Sequence, residues 1–97
     1  MMEAVRVQQS AMFKRAYKRL HPHRLHPHQK ADVDDAVADI VRDPTIGEAK
    51  KGDLAGVFVH KFKCNGQLTL LAYEYDPASR WLLLLGAHEN FYRDLKR

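Results

Sequence analysis

The final twelve residues, GAHENFYRDLKR, set an imidazole (His88), a phenol (Tyr92) and the cations Arg93 and Lys96 directly behind the apolar run Trp81 to Leu85. Histidine titrates near neutrality, so His88 can give or take a proton under physiological conditions. A tail of this composition is either a solvated terminus or the working end of the molecule. In the first case Phe91 and Tyr92 fasten it to the core and His88 caps a turn. In the second they face a substrate.

Other groupings invite a metal. HPHRLHPH, residues 21 to 28, holds four histidines, but Pro22 and Pro27 splay the imidazoles, and the stretch contains no acid and no ligand spacing of the helical kind. Asp32, Asp34, Asp35 and Asp39 could gather a cation, yet aspartates in the early turns of a helix also favour its positive end. Cys64 is the single cysteine and has no thiolate partner, so neither a disulfide nor a Cys-based metal site is expected. No metal and no cofactor are predicted.

The elements that must position these groups follow from periodicity. Val5 and Val7 alternate with polar residues and predict a short half-buried strand, after which Ser10 can cap a helix. Phe13, Ala16, Tyr17 and Leu20 then form one apolar stripe, leaving Lys14, Arg15, Lys18 and Arg19 on a basic outer face. The histidine loop follows. A second helix with Pro27 in its first turn runs to Arg42 on the stripe Val33, Ala36, Val37, Ile40 and Val41. RDPTIGEAKKGDLAG is a long connector that carries Lys50 and Lys51.

Three strands complete the chain: VFVHKFK, LTLLAYEY and RWLLLLG. Asn65-Gly66 between the first two predicts a type I′ hairpin, because both residues tolerate positive φ. That turn sets Lys61 opposite Leu70, Lys63 opposite Leu68, His60 opposite Leu71 and Phe58 opposite Tyr73. Phe58, His60 and Phe62 share the face that the helices should cover, whereas Val57, Val59, Lys61 and Lys63 share the other. Two ammonium groups are costly to bury without partners, so the lysine face should stay open. His60 reads as a hydrogen-bonded core histidine, with a role at a site as the alternative.

At 97 residues the chain suits one domain, 1–97. A hydrophobic content of 45% against 29% charge fits a folded protein, and no apolar run is long enough for a membrane span. A cytoplasmic location is expected. The net charge of +4 is divided unevenly: residues 1–30 carry seven Lys/Arg against one acid, and residues 31–55 carry three against seven. Such asymmetry predicts either a face for a polyanion with a separate acidic face, or solvated helix faces.

DPTIGEAKKGDLAGVFVHKFK, the hairpin and GAHENFYRDLKR together resemble the RelE/ParE superfamily of bacterial type II toxins, in its ParE-like branch. The likeness covers residues 44 to 97, with a consistent order of elements over 1 to 43. It implies an α+β fold in which two helices pack on one face of a curved, mainly antiparallel four-stranded sheet. RelE-like members are ribosome-dependent, metal-independent mRNA endonucleases; ParE-like members instead inhibit DNA gyrase. The implied partners are a cognate antitoxin with the ribosome and mRNA, or with gyrase in the alternative.

The resemblance also implies a site. Lys61 and Lys63 match a RelE-like lysine pair spaced by one residue, Tyr92 matches the tyrosine of the RelE tail, and Gly86, His88 and Tyr92 match the spacing of the YafQ tail. Where RelE-like members place an arginine after the hairpin this sequence has Leu70, so Arg80 or Arg93 would have to substitute. Cleavage would run by attack of the ribose 2′-hydroxyl on its own phosphate. His88 would be the acid or base, Tyr92 would assist it or stack a splayed base, and Lys61 and Lys63 would stabilise the phosphorane. Arg80, Arg93 and Lys96 would bind RNA phosphate.

Overall fold

The computed structural model describes residues 4–20 and 28–95, apart from the side chains at 20, 28, 29 and 88–90. The histidine loop up to Pro27 and Lys96 therefore lie outside the described residues. The elements are β1 (Arg6–Gln9), α1 (Ala11–Leu20), α2 (His28–Arg42), β2 (Glu48–Ala49), β3 (Phe58–Cys64), β4 (Gln67–Asp76), β5 (Ser79–Ala87) and α3 (His88–Leu95). They build one sheet in the order β1-β5-β4-β3-β2, in which β1 runs parallel to β5 and the other pairs are antiparallel.

Ser10 starts α1 as expected: the Phe13 amide donates to its hydroxyl at 3.0 Å. The stripe then buries Phe13 against the sheet, and α2 adds Val33, Ala36 and Ile40. Asn65 and Gly66 take φ of 52° and 82°, the left-handed values of the expected turn. The register it imposes is the one read from the sequence, Phe58↔Tyr73 through Lys63↔Leu68. The face with Phe58, Phe62, Leu71, Tyr73 and Leu82 lies under α1 and α2, as period two requires.

The α+β class is borne out, with three differences of detail. The sheet has five strands rather than four, because the two residues of β2 pair with Val59 and Phe58 inside what reads as connector. The tail is a helix: α3 lays Phe91, 1% exposed, on the second face of the sheet among Val57, Val59, Leu70, Ala72 and Leu84. Burying a ring so fully contributes about 2–3 kcal/mol, which holds an eight-residue helix too short to persist by itself. Val7, finally, is 40% exposed rather than half-buried, on a strand at the edge of the sheet.

Candidate functional site

Tyr73 positions the site without belonging to it. Its buried phenol donates to the Pro44 carbonyl at 2.6 Å and accepts from the Gly47 amide at 3.0 Å, pinning both ends of the turn Pro44–Ile46. Asp43 closes the same turn by accepting from the Thr45 amide (3.1 Å) and hydroxyl (2.6 Å). The chain leaves Gly47 in a fixed direction and pairs Glu48 with Val59. The Lys50 amide then donates to the Val57 carbonyl at 2.9 Å. Alternation along β2 thus aims Glu48 and Lys50 to the face that carries Val57, Val59 and Lys61.

On that face Lys50 joins two side chains. Its ammonium lies 3.1 Å from the Glu48 carboxylate, 5.0 Å from the centre of the Tyr92 ring, and donates a hydrogen bond to the Tyr92 phenol. The phenol's hydrogen bond, more than offsetting partial burial, holds the Lys50 ammonium above the usual lysine range. Hydrogen bonding and charge from Lys50, with a smaller contribution from Lys61, keep the Glu48 carboxyl below the usual carboxylate range. Lys50 is largely covered, its side chain 19% exposed against 63% for Glu48. Tyr92 itself meets Phe91 edge-on at 5.3 Å, so the buried ring fixes the helix that presents the half-buried one.

Lys61 is exposed on this face, and Lys63 two residues further along β3 is also exposed, beside the hairpin. Among the described residues neither lysine makes an ion pair. Arg93 is exposed on α3. His88 is the first residue of α3, four before Tyr92; its side chain is outside the described residues.

Arg80, expected as a phosphate anchor, and His60, for which a site role was the alternative to a place in the core, both lie elsewhere. Arg80 is 4% exposed on the helix-covered face, and all three guanidinium nitrogens donate to backbone carbonyls. Nε and Nη2 reach Ile40 and Val41 at 3.0 Å, while Nη1 reaches Asp76 and Ser79 at 2.8 and 2.9 Å. Arg80 is a cap for the C-terminal end of α2 and cannot anchor a phosphate without leaving those carbonyls unsatisfied. His60 likewise lies between Phe58 and Phe62 on the covered face, stacked on Phe62 at 5.8 Å, with its ring held below the ordinary histidine range by burial. The sheet separates both from Lys61 and Tyr92.

Glu48 and Lys50 are the members that sequence reasoning missed. Their signal was present: a carboxylate and an ammonium two residues apart are neighbours on one face once the segment is a strand. Among the described residues no group of three His, Cys, Asp or Glu could hold a metal ion. No described helix is long and apolar enough to cross a membrane.

The sheet thus carries α1 and α2 on one face, and α3 with Lys50, Tyr92 and Glu48 on the other. Residues 7–96 match the model of the ParE-like toxins of type II bacterial toxin-antitoxin systems, and the chain belongs to that family. The YoeB/ParE toxin from Agrobacterium tumefaciens superposes with a TM-score of 0.69 at 14% identity, covering 87% of this chain and 99% of that one. The intact E. coli RelBE toxin-antitoxin complex contains a chain at 0.66 and 11%, covering 89% and 99%. The YoeB-YefM complex from Staphylococcus aureus contains one at 0.67 and 15%, covering 89% and 99%. At these identities the likeness is one of fold. No curated protein sequence matches the chain.

Proposed function

We propose that this toxin acts in the cytoplasm as a RelE-like, ribosome-dependent mRNA endonuclease that inhibits translation, and that a cognate antitoxin restrains it. The observation that supports the reading is the meeting of the Tyr92 phenol, the Glu48 carboxylate and the Lys50 ammonium beside the exposed Lys61 on the face away from α1 and α2. These are the group types that cleavage by a 2′-hydroxyl needs. The hydroxyl loses its proton as its oxygen attacks the adjacent phosphorus; the bond to the 5′-oxygen breaks, and that oxygen takes up a proton. Glu48, held ionised, is a proton acceptor at the site, and His88 on the same helix as Tyr92 is the group to supply the second proton. Lys61, with Lys63, faces the charge that develops on the phosphorane. Arg93 and Lys96 extend the cationic surface along the RNA. Such cleavage requires no metal.

The antitoxin partner is supported by family membership, and by the RelE- and YoeB-containing complexes that share the fold. The deciding experiment maps the 5′ ends of messages after brief induction. New 5′-hydroxyl ends within translated regions are expected, at least tenfold fewer for Lys61→Met/Lys63→Met or Tyr92→Phe, as order-of-magnitude losses for removed electrostatic or proton-transfer groups. Intact messages accompanied by DNA damage signalling and inhibited gyrase would replace this reading with the gyrase-directed one.

A further inference from the structure

The site holds three lysines in two different conditions. Lys50 is mostly covered and engaged by a phenol and a carboxylate, whereas Lys61 and Lys63 are exposed and, among the described residues, in no ion pair. A substrate phosphate can reach the second kind without breaking anything. To reach Lys50 it would have to displace Glu48 and detach Tyr92. Lys50 also removes a competitor, because Glu48 lies across β2 and β3 close enough to Lys61 to feel its charge and would otherwise turn to it.

Resting on the nuclease reading, we propose that Lys50 is a positioning residue: it fixes the Tyr92 phenol at the reacting phosphate and retains Glu48, so that Lys61 and Lys63 remain free to bind RNA. Two independent features of the chain converge on this role. Tyr73 locks the turn that delivers Lys50, and Phe91 locks the helix that delivers Tyr92. The Lys50–Tyr92 contact ties the two together on the open face. Lys50 thereby acts through Tyr92 and Glu48 and touches no substrate.

Three measurements on the full chain test this. The Lys50 ammonium, followed by NMR of labelled lysine, should titrate at lower pH in Tyr92→Phe than in the parent; an unchanged midpoint overturns the proposal whether or not the protein cuts RNA. Binding of a single-stranded RNA oligonucleotide, measured against salt, should keep its slope in Lys50→Met. In Lys61→Met the slope should flatten by about 0.7, the value for one lost phosphate contact on a single strand. Equal flattening in Lys50→Met would make Lys50 a phosphate ligand and sink the proposal. On translating ribosomes Lys50→Met should lower kcat roughly 10- to 100-fold with KM little changed, since a misplaced group at a reacting centre costs that much. Lys50→Arg should recover most of the loss, and a full loss there would also count against it. A parent protein that leaves messages intact defeats the nuclease reading alone, and the titration still decides whether Lys50 holds Tyr92.

Discussion

Each side of the sheet carries a tyrosine with a lysine ammonium near its ring and a carboxylate in reach, and the two triplets are wired in opposite senses. On the α1/α2 side the Tyr17 phenol donates to Asp34 at 2.7 Å, with the Lys30 ammonium 5.1 Å from the ring centre. On the α3 side the Tyr92 phenol accepts from Lys50, and Glu48 pairs with the lysine instead. A phenol that donates to a carboxylate directs its proton to that carboxylate; one that accepts from an ammonium turns its oxygen toward the cation. The same three residue types thus make a brace between two helices in one place and, in the other, a tie between α3 and the segment after β2 on the open face. Arg80 and Tyr73 extend the contrast, because on the covered face their polar atoms end on backbone carbonyls and amides, which no substrate can exchange.

The contrast breaks first at Arg80. Arg80→Met removes the hydrogen bonds to Ile40 and Val41 and leaves the end of α2 uncapped in a buried setting, so a loss of about 3–4 kcal/mol is expected in urea unfolding. Lys61→Met on the open face should stay within about 0.5 kcal/mol while lowering cleavage. If the two changes cost the same stability, the faces do not differ as described. Gly47→Ala is the next largest effect. A Cβ there would stand 2.5 Å from the Tyr73 hydroxyl, and that fully buried ring has nowhere to retreat. About 2 kcal/mol of destabilisation is expected. Cleavage by the fraction that remains folded should also fall, because Gly47 leads directly into Glu48.

What the sequence disclosed tracks how local each cause is. The hairpin register was legible to the residue because Asn65-Gly66 dictates it, and the helix stripes were legible because Phe13, Val33 and Ile40 recur at helical spacing. From these the two faces of β3 could be told apart. β2 was not legible, since its two residues owe their extended course to a phenol 26 positions away. Arg80 was misread as a phosphate anchor because its partner carbonyl is 40 positions distant and carries no side-chain signature. α3 was hidden for a related reason: HENFYRDL is short, and Phe91 becomes an anchor only once a second sheet face exists to receive it. In the sequence Lys50 reads as connector, because its meeting with Tyr92 requires both β2 and α3.

His60 tests the covered face by pH. Burial holds its ring below the ordinary histidine range, with Asp39 pulling weakly the other way. Between its folded value and the ordinary 6.5 the unfolded chain binds more protons than the folded one, so stability is full above that window and falls as pH drops through it. The urea midpoint should therefore decline between pH 7 and 5, and His60→Gln should make that decline shallower. Cleavage per folded molecule should keep its pH profile in His60→Gln, because the ring lies across the sheet from Tyr92. A changed profile would return His60 to the site and erase the division between the faces.

The Tyr17 triplet gives the smallest effect and the most direct comparison. Burial first, then the hydrogen bond and charge of Asp34, push the Tyr17 phenol up to about 12. Because the folded value is raised, its contribution to stability is complete below the ordinary 10 and is lost as pH climbs from there toward 12. Asp34→Asn removes the charge, weakens the hydrogen bond to a neutral one and leaves burial in place, so the phenolate absorbance of Tyr17 should emerge earlier but still above the ordinary value. Stability at pH 7 should change by less than about 1 kcal/mol, the range of a surface hydrogen bond. Cutting of messages should be untouched, since the triplet lies across the sheet from Tyr92. If Asp34→Asn instead matched Lys50→Met in its effect on cleavage, the two triplets would be parts of one site, and wiring would not be what separates them.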